Sequence, residues 1–125
     1  MFELKILTHF SAAHQLQMVG EKCENLHGHN WRVEVCVSGE RLDDAGVLVD
    51  FGLIKRAVAK VMDSLDHKFL NELPGFNEQC QPSSENIAVI IARQLQERLQ
   101  VPRVRVSRVS AWESDDACAS YIPQY

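Results

Sequence analysis

The chain of 125 residues has no apolar run approaching the ~20 residues that a membrane-spanning helix needs. Its first residues, Met1-Phe2-Glu3-Leu4-Lys5, lack the basic stretch and long apolar core of an export signal, so a cytoplasmic protein is expected. Cysteine is sparse. The four thiols, at 23, 36, 80 and 118, form no CxxC pair and no dense framework, which predicts reduced thiols rather than a disulfide scaffold. There is no basic excess: 13 Lys and Arg stand against 17 Asp and Glu, a net charge of −4. Nucleic acid and anionic membrane are therefore excluded as main partners, whereas an anionic small molecule needs only a local basic pocket. No repeat, linker or low-complexity segment interrupts the chain. Residues 1–125 read as one domain, and with 46% hydrophobic residues that domain can build its own core.

Two long stretches alternate with period two. In residues 2–14, Phe2, Leu4, Ile6, Thr8, Phe10 and Ala12 share the even positions, and His14 continues that phase. His9 falls on the other face and reads as an ordinary surface histidine. From His27 to Ser38, Trp31, Val33, Val35 and Val37 share the odd positions with His27 and His29. Two helices follow. Asp50 is a plausible N-cap for a stripe of Ile54, Ala57, Val58, Val61, Met62 and Leu65, with the helix end expected near Asp66-His67. Pro82-Ser83-Ser84-Glu85-Asn86 signals the start of a second helix, whose stripe runs from Ile87 to Leu99. Two strands close the chain, Arg103 to Glu113 and Ala117 to Ile122. The valines of the first change phase, as a bulge or a sheet covered on both faces would require. The order ββααββ predicts an α+β fold: one antiparallel sheet with two helices on one face. An uncovered face and open edges make self-assembly a reasonable expectation.

The core face of both long strands carries histidines at one end. If the strands pair as antiparallel neighbours, His14, His27 and His29 converge, and three imidazoles leave an open fourth position on a borderline metal such as zinc. Cys23, four residues before His27, has two readings: a fourth ligand closing a structural site, or a nearby thiol acting as a base. Asp66-His67 is a candidate acid–base pair. Neighbours on a helix do not face each other, however, and a helix C-terminus favours histidine for its charge alone. Glu113 beside Trp112 is either a buried acceptor for paired N–H donors of a heterocycle or a surface residue at a strand end.

As a set, these residues resemble a known family. Phe10-Ser11-Ala12-Ala13-His14, Cys23-x-x-x-His27-Gly28-His29-Asn30, Gly46-Val47-Leu48-Val49-Asp50-Phe51, Leu65-Asp66-His67, Pro82-Ser83-Ser84-Glu85-Asn86 and the late Glu113 occur in the order seen in the 6-pyruvoyl-tetrahydropterin synthase family. The resemblance implies the tunnelling fold (T-fold), with trimers whose sheets close into a β-barrel and two trimers stacked as a homohexamer. It implies one Zn2+ per subunit on His14, His27 and His29, with Cys23 as base rather than ligand. Asp66 and His67 would form a proton relay, contributed by a neighbouring subunit. Glu113 would anchor the pterin, with Ser83 and Ser84 where the family often has threonines near that ring.

The three residues between Cys23 and His27 match the 6-carboxy-5,6,7,8-tetrahydropterin synthase branch, which serves the queuosine (7-deazaguanine) route. The biopterin-forming branch usually has two more residues there, and a branch linked to folate synthesis has glutamate in place of the cysteine. The implied activity is a lyase reaction: 7,8-dihydroneopterin triphosphate gives 6-carboxytetrahydropterin, acetaldehyde and triphosphate. The alternative is 6-pyruvoyl-tetrahydropterin formation without carbon–carbon cleavage. A zinc-stabilised binding module without chemistry is the reading from another class. Lys22, Arg32 and Lys68 are the cations near these motifs that could meet the triphosphate.

Overall fold

Side-chain alternation along two 13-residue strands builds the centre of the sheet. β1 (Phe2–His14) and β2 (His27–Gly39) pair antiparallel without a break, from Phe2 opposite Gly39 to His14 opposite His27. The computed structural model describes residues 1–17 and 25–125, so Cys23 and Lys22 lie outside the described residues. After β2 comes helix α1 (Phe51–Asp63), then a two-residue strand β3 (Lys68–Phe69), helix α2 (Ser84–Arg98), and strands β4 (Arg105–Ser114) and β5 (Ala117–Tyr121). The sheet order is β3-β1-β2-β4-β5. The expected ββααββ order is present, with one addition. β3 runs parallel to β1 at Ala12 and Ala13, and a strand of two residues is too short to leave a periodic signal.

Both helices cover the face that carries the in-phase apolar residues. Phe10, Trp31, Val33, Val35 and Val37 pack there against Ile54, Val58 and Val61 of α1 and Ile87, Ile91 and Leu95 of α2. The changing phase of the valines in β4 has a simple cause. The register between β2 and β4 shifts between Cys36 and Val37, so Val109 faces Val35 and Val106 faces Val37 while Ser107 is the extra residue. All the β4 valines therefore reach the same core. The opposite face is polar, with Lys5 paired to Glu34 at 3.8 Å and Ser38 bonded to Ser107 at 2.7 Å. His9 is exposed there, as its phase required.

The helix starts match their sequence signals. The Asp50 carboxylate accepts from the Gly52 N–H at 3.2 Å, and Ser83 Oγ accepts from the Asn86 N–H at 3.2 Å. α1 stops earlier than its apolar stripe suggests. A turn follows Asp63, and the Asp66 N–H still donates to Met62 at 2.8 Å. His67 then takes a left-handed backbone with φ 58°, an unusual conformation for a residue with a Cβ, and this turns the chain into β3.

Replacing the α1 cap, Asp50→Ala, should lower unfolding free energy by about 1 kcal/mol through the orphaned first-turn N–H. Urea unfolding at constant m-value reads this. An unchanged midpoint would show that solvent serves the helix end equally well.

Candidate metal centre

The unbroken β1–β2 register sets His14 opposite His27 and Ala12 opposite His29, so the three imidazoles share one face at one end of the sheet. β4 adds a fourth group. Trp112 pairs with Arg32, and the next residue, Glu113, returns to the face of Ala111 and of the histidines. One donor atom from each of His14, His27, His29 and Glu113 lies within 4.8 Å of the other three. His14 and His27 Nε2 are 3.1 Å apart. Glu113 Oε1 lies 2.9 Å from His29 Nε2, 3.3 Å from His14 Nε2 and 3.8 Å from His27 Nε2. Ligands placed tetrahedrally at 2.0–2.1 Å from zinc would stand roughly 3.3–3.4 Å from one another. The donor set fits a zinc-sized cation.

The outer nitrogens fix the tautomers. His14 Nδ1 lies 2.8 Å from the Pro82 carbonyl in a buried contact, and His27 Nδ1 lies 2.7 Å from the Asn25 carbonyl. A carbonyl oxygen only accepts, so both Nδ1 atoms carry hydrogen and each neutral ring presents its lone pair at Nε2. Two lone pairs then point at each other across 3.1 Å, an arrangement that calls for positive charge between them. His29 Nε2 is buried and lacks a well-directed hydrogen bond although the Glu113 oxygen is close. Its pKa is lowered, first by burial and then by the neighbouring rings, against the opposing pull of Glu113. A ring kept neutral is the form that ligates. Trp31, fully buried, forms the floor, with its ring edge-on to His14 at 5.2 Å and to His29 at 5.4 Å.

Asp66 and His67 form a second constellation. Helical neighbours should diverge, yet His67 Nδ1 lies 2.9 Å from Asp66 Oδ2. The left-handed turn at His67 removes the helical geometry on which that expectation rested. The pair is fastened to β1 at a single residue: the Ser11 N–H donates to Asp66 Oδ1 at 2.8 Å, and the Ser11 carbonyl accepts from the His67 N–H at 2.6 Å. Donation from Ser11 is the main reason the Asp66 carboxyl is held below its usual range, with His67 adding to it. The His67 ring is 83% exposed. A hollow of about 520 Å³ is lined by Ser11, Gly28, His29, Asn30, His67 and Lys68, so it reaches His67 and the flank of His29, while His14, His27 and Glu113 do not line it. A Cβ on Gly28 would meet nothing nearer than 3.8 Å, so this glycine is not forced by crowding; it leaves space at the rim of the hollow.

Comparison with known proteins places this geometry. Residues 3–124 match the family model for 6-pyruvoyl tetrahydropterin synthase. The chain belongs to that family. A protein of Archaeoglobus fulgidus, provisionally named 6-carboxy-5,6,7,8-tetrahydropterin synthase, is 43% identical over 103 residues, 82% of this chain and 84% of its own. Dihydroneopterin monophosphate aldolase of Pyrococcus furiosus is 36% identical over 107 residues, covering 86% and 85%. The structure of Caenorhabditis elegans 6-pyruvoyl tetrahydropterin synthase superposes with a TM-score of 0.86 at 25% identity, covering 98% of this chain and 96% of that one. The α+β tunnelling fold expected from the sequence is therefore the fold observed.

The three histidines converge as their strand phase required, and the Glu113 carboxylate, for which the resemblance implies a pterin contact, stands beside them. The carbonyls of Pro82 and Asn25, which set the two tautomers, escaped the sequence reading because a backbone group has no residue-type signal. Ser83 has an observed task, capping α2, while Arg32 lies over the Trp112 ring at 4.2 Å and Lys68 lines the hollow.

Zinc titration followed calorimetrically should show one tight site per chain. Loss of a partner behind a ligand typically costs 10–100-fold in affinity, so His14→Ala should cost at least about 100-fold. Unaltered affinity in that variant would place the ion elsewhere.

Proposed function

We propose that the protein is a zinc-dependent lyase that converts 7,8-dihydroneopterin triphosphate and one water to 6-carboxy-5,6,7,8-tetrahydropterin, releasing acetaldehyde and triphosphate. Its place would be the cytoplasmic route to queuosine and other 7-deazaguanines. The observation that carries this reading is the convergence of three imidazoles, two of them with their Nδ1–H groups committed to carbonyls. Relatives bearing the name 6-carboxy-5,6,7,8-tetrahydropterin synthase are 35–43% identical to the chain and support the product, as does the three-residue spacing between Cys23 and His27.

A zinc ion held by His14, His27 and His29 would supply Lewis-acid polarisation of the substrate's side-chain hydroxyls. Cys23, as thiolate, removes a proton from the side chain. His67 gives or takes the second proton at Nε2, with its Nδ1 held by Asp66. The burial of Trp31 beneath the rings keeps water from the floor. Glu113 has two roles to fill in turn: against the imidazoles in the free protein, and toward the ring N–H and 2-amino groups of a bound pterin once its carboxylate swings out. Ser83 and Ser84 would border that ring, with the Ser83 hydroxyl also retaining its cap. Lys68, at the hollow, is the described cation best placed for the phosphates.

Assembly follows from the edges. Beyond Ala12 and Ala13, β1 has no outer partner strand among the described residues. Phe2, Leu42, Val47 and Phe51 are exposed around an apolar hollow of about 230 Å³ at the start of β1. Closure of three sheets into a barrel, with two trimers stacked, would cover such surfaces. In that assembly the exposed His67 would serve the site of a neighbouring subunit.

A second reading has its own support. The Pyrococcus furiosus relative is named for an aldolase acting on dihydroneopterin monophosphate, and its coverage of the chain is as broad. Retro-aldol cleavage would use the same base and the same polarised hydroxyls but would release glycolaldehyde phosphate. Incubating zinc-loaded protein separately with dihydroneopterin triphosphate and monophosphate, then weighing the products, separates these. Acetaldehyde and the carboxypterin mass from the triphosphate are expected. Cleavage of the monophosphate alone would favour the aldolase, and triphosphate loss without acetaldehyde would favour the 6-pyruvoyl product. No turnover together with loss of zinc in Cys23→Ala would leave a closed binding module.

A further inference from the structure

The carbonyl that holds His14 has a support of its own. Pro82 is buried, and its C=O accepts the His14 Nδ1–H at 2.8 Å. The other end of the same peptide unit is the Ser83 N–H, which donates to the Gln81 carbonyl at 2.8 Å. The Pro82–Ser83 bond is trans, so its N–H and C=O point in opposite directions. Turning the N–H toward Gln81 therefore turns the C=O toward His14.

Two constraints keep this peptide plane in place. The Pro82 ring fixes its own φ at about −65°. Asn86, in the first turn of α2, reaches back, and its Nδ2 donates to the same Gln81 carbonyl at 2.8 Å. Asn86 is anchored in turn. Its N–H donates to Ser83 Oγ at 3.2 Å, and its helix neighbours Ile87 and Ala88 are fully buried in the core. The helix start does not itself call for this residue. A carboxylate would suit the third helical position better, since negative charge complements the N-terminal dipole and the capping box uses an acid or its amide there. Asparagine supplies what a carboxylate lacks, an N–H donor.

We propose that Asn86, acting through the Gln81 carbonyl and the Pro82–Ser83 peptide, is a positioning residue for His14. It steadies the carbonyl that keeps the proton on Nδ1, and so keeps the Nε2 lone pair facing His27 and Glu113. The proposal rests on the reading of His14 as a zinc ligand. Asn86 would touch neither metal nor substrate. Partners behind a metal-binding imidazole fix its tautomer and ring orientation, and their loss typically costs about 10–100-fold in affinity.

The test uses Asn86→Asp, which keeps the size and removes the donor. Competition with a chromophoric chelator should show zinc bound about tenfold more weakly than in the wild type. Asn86→Ala, which removes the donor without adding charge, should show the same direction and answers the question if the aspartate variant does not fold. Asn86→Gln, which keeps an N–H donor on a longer arm, should lose less. Asp50→Ala, which removes a cap at the start of α1, should destabilise the fold and leave zinc affinity unchanged. A second readout needs no metal. At about pH 8.5, where imidazoles are neutral, long-range proton–nitrogen spectra should show His14 protonated at Nδ1 in the wild type and as a mixture of tautomers in Asn86→Asp. Unchanged zinc affinity in the aspartate and alanine variants would overturn the proposal. So would weakened binding with the His14 tautomer intact, or an equal loss in Asp50→Ala. If the wild type binds no zinc, the metal reading fails by itself, and the tautomer comparison still decides whether Asn86 positions His14.

Discussion

Two neutral imidazoles whose Nδ1–H groups both donate to carbonyls meet through lone pairs when their Nε2 atoms face each other. At 3.1 Å that contact between His14 and His27 is repulsive unless positive charge lies between the rings. The fold enforces the contact all the same. His14 is buried, its outer nitrogen is held by Pro82, and the thirteen-residue pairing of β1 with β2 sets His14 directly opposite His27. A one-residue slip would send the histidines to the polar face together with every valine, so the hydrophobic core and the candidate metal centre are specified by the same register. A bound cation would turn this repulsion into cohesion.

The remaining features serve that arrangement. Trp31 floors it, stacked on Phe10 at 5.9 Å. The bulge between Cys36 and Val37 keeps the β4 valines in the core, and β4 carries Glu113 to the metal end of the sheet. Ser11, three residues before His14 on β1, holds Asp66 and His67 with its backbone, so the acid–base pair and the imidazoles are referred to one strand. Such sharing places groups from distant parts of the chain without a dedicated scaffold for each. It also leaves the His67 ring exposed.

Period-two phase made the metal face legible before any coordinates. His14 continued the phase of Phe10, and His27 and His29 that of Trp31. Asp50 and Ser83 were legible as caps because an N-cap is a local, residue-type preference. Three features were not. The closeness of Glu113 depends on strand order and on a bulge, which no local pattern reports. The Asp66–His67 bond depends on a left-handed residue at a helix end, where the helical rule for neighbours stops applying. The hydrogen bonds of the Asn71 and Gln81 side chains to the Gln15 and Gln17 backbone join positions 56 and 64 residues apart through side chains that are common in any loop.

The central claim is that the imidazoles of His14, His27 and His29 ligate a single zinc ion while Cys23 stays outside its coordination sphere. Zinc K-edge X-ray absorption on the reconstituted protein addresses both halves at once. The account predicts only nitrogen and oxygen scatterers at about 2.0–2.1 Å, with the multiple-scattering signature of three imidazoles. A sulfur scatterer at about 2.3 Å would contradict it and make Cys23 a ligand rather than a base.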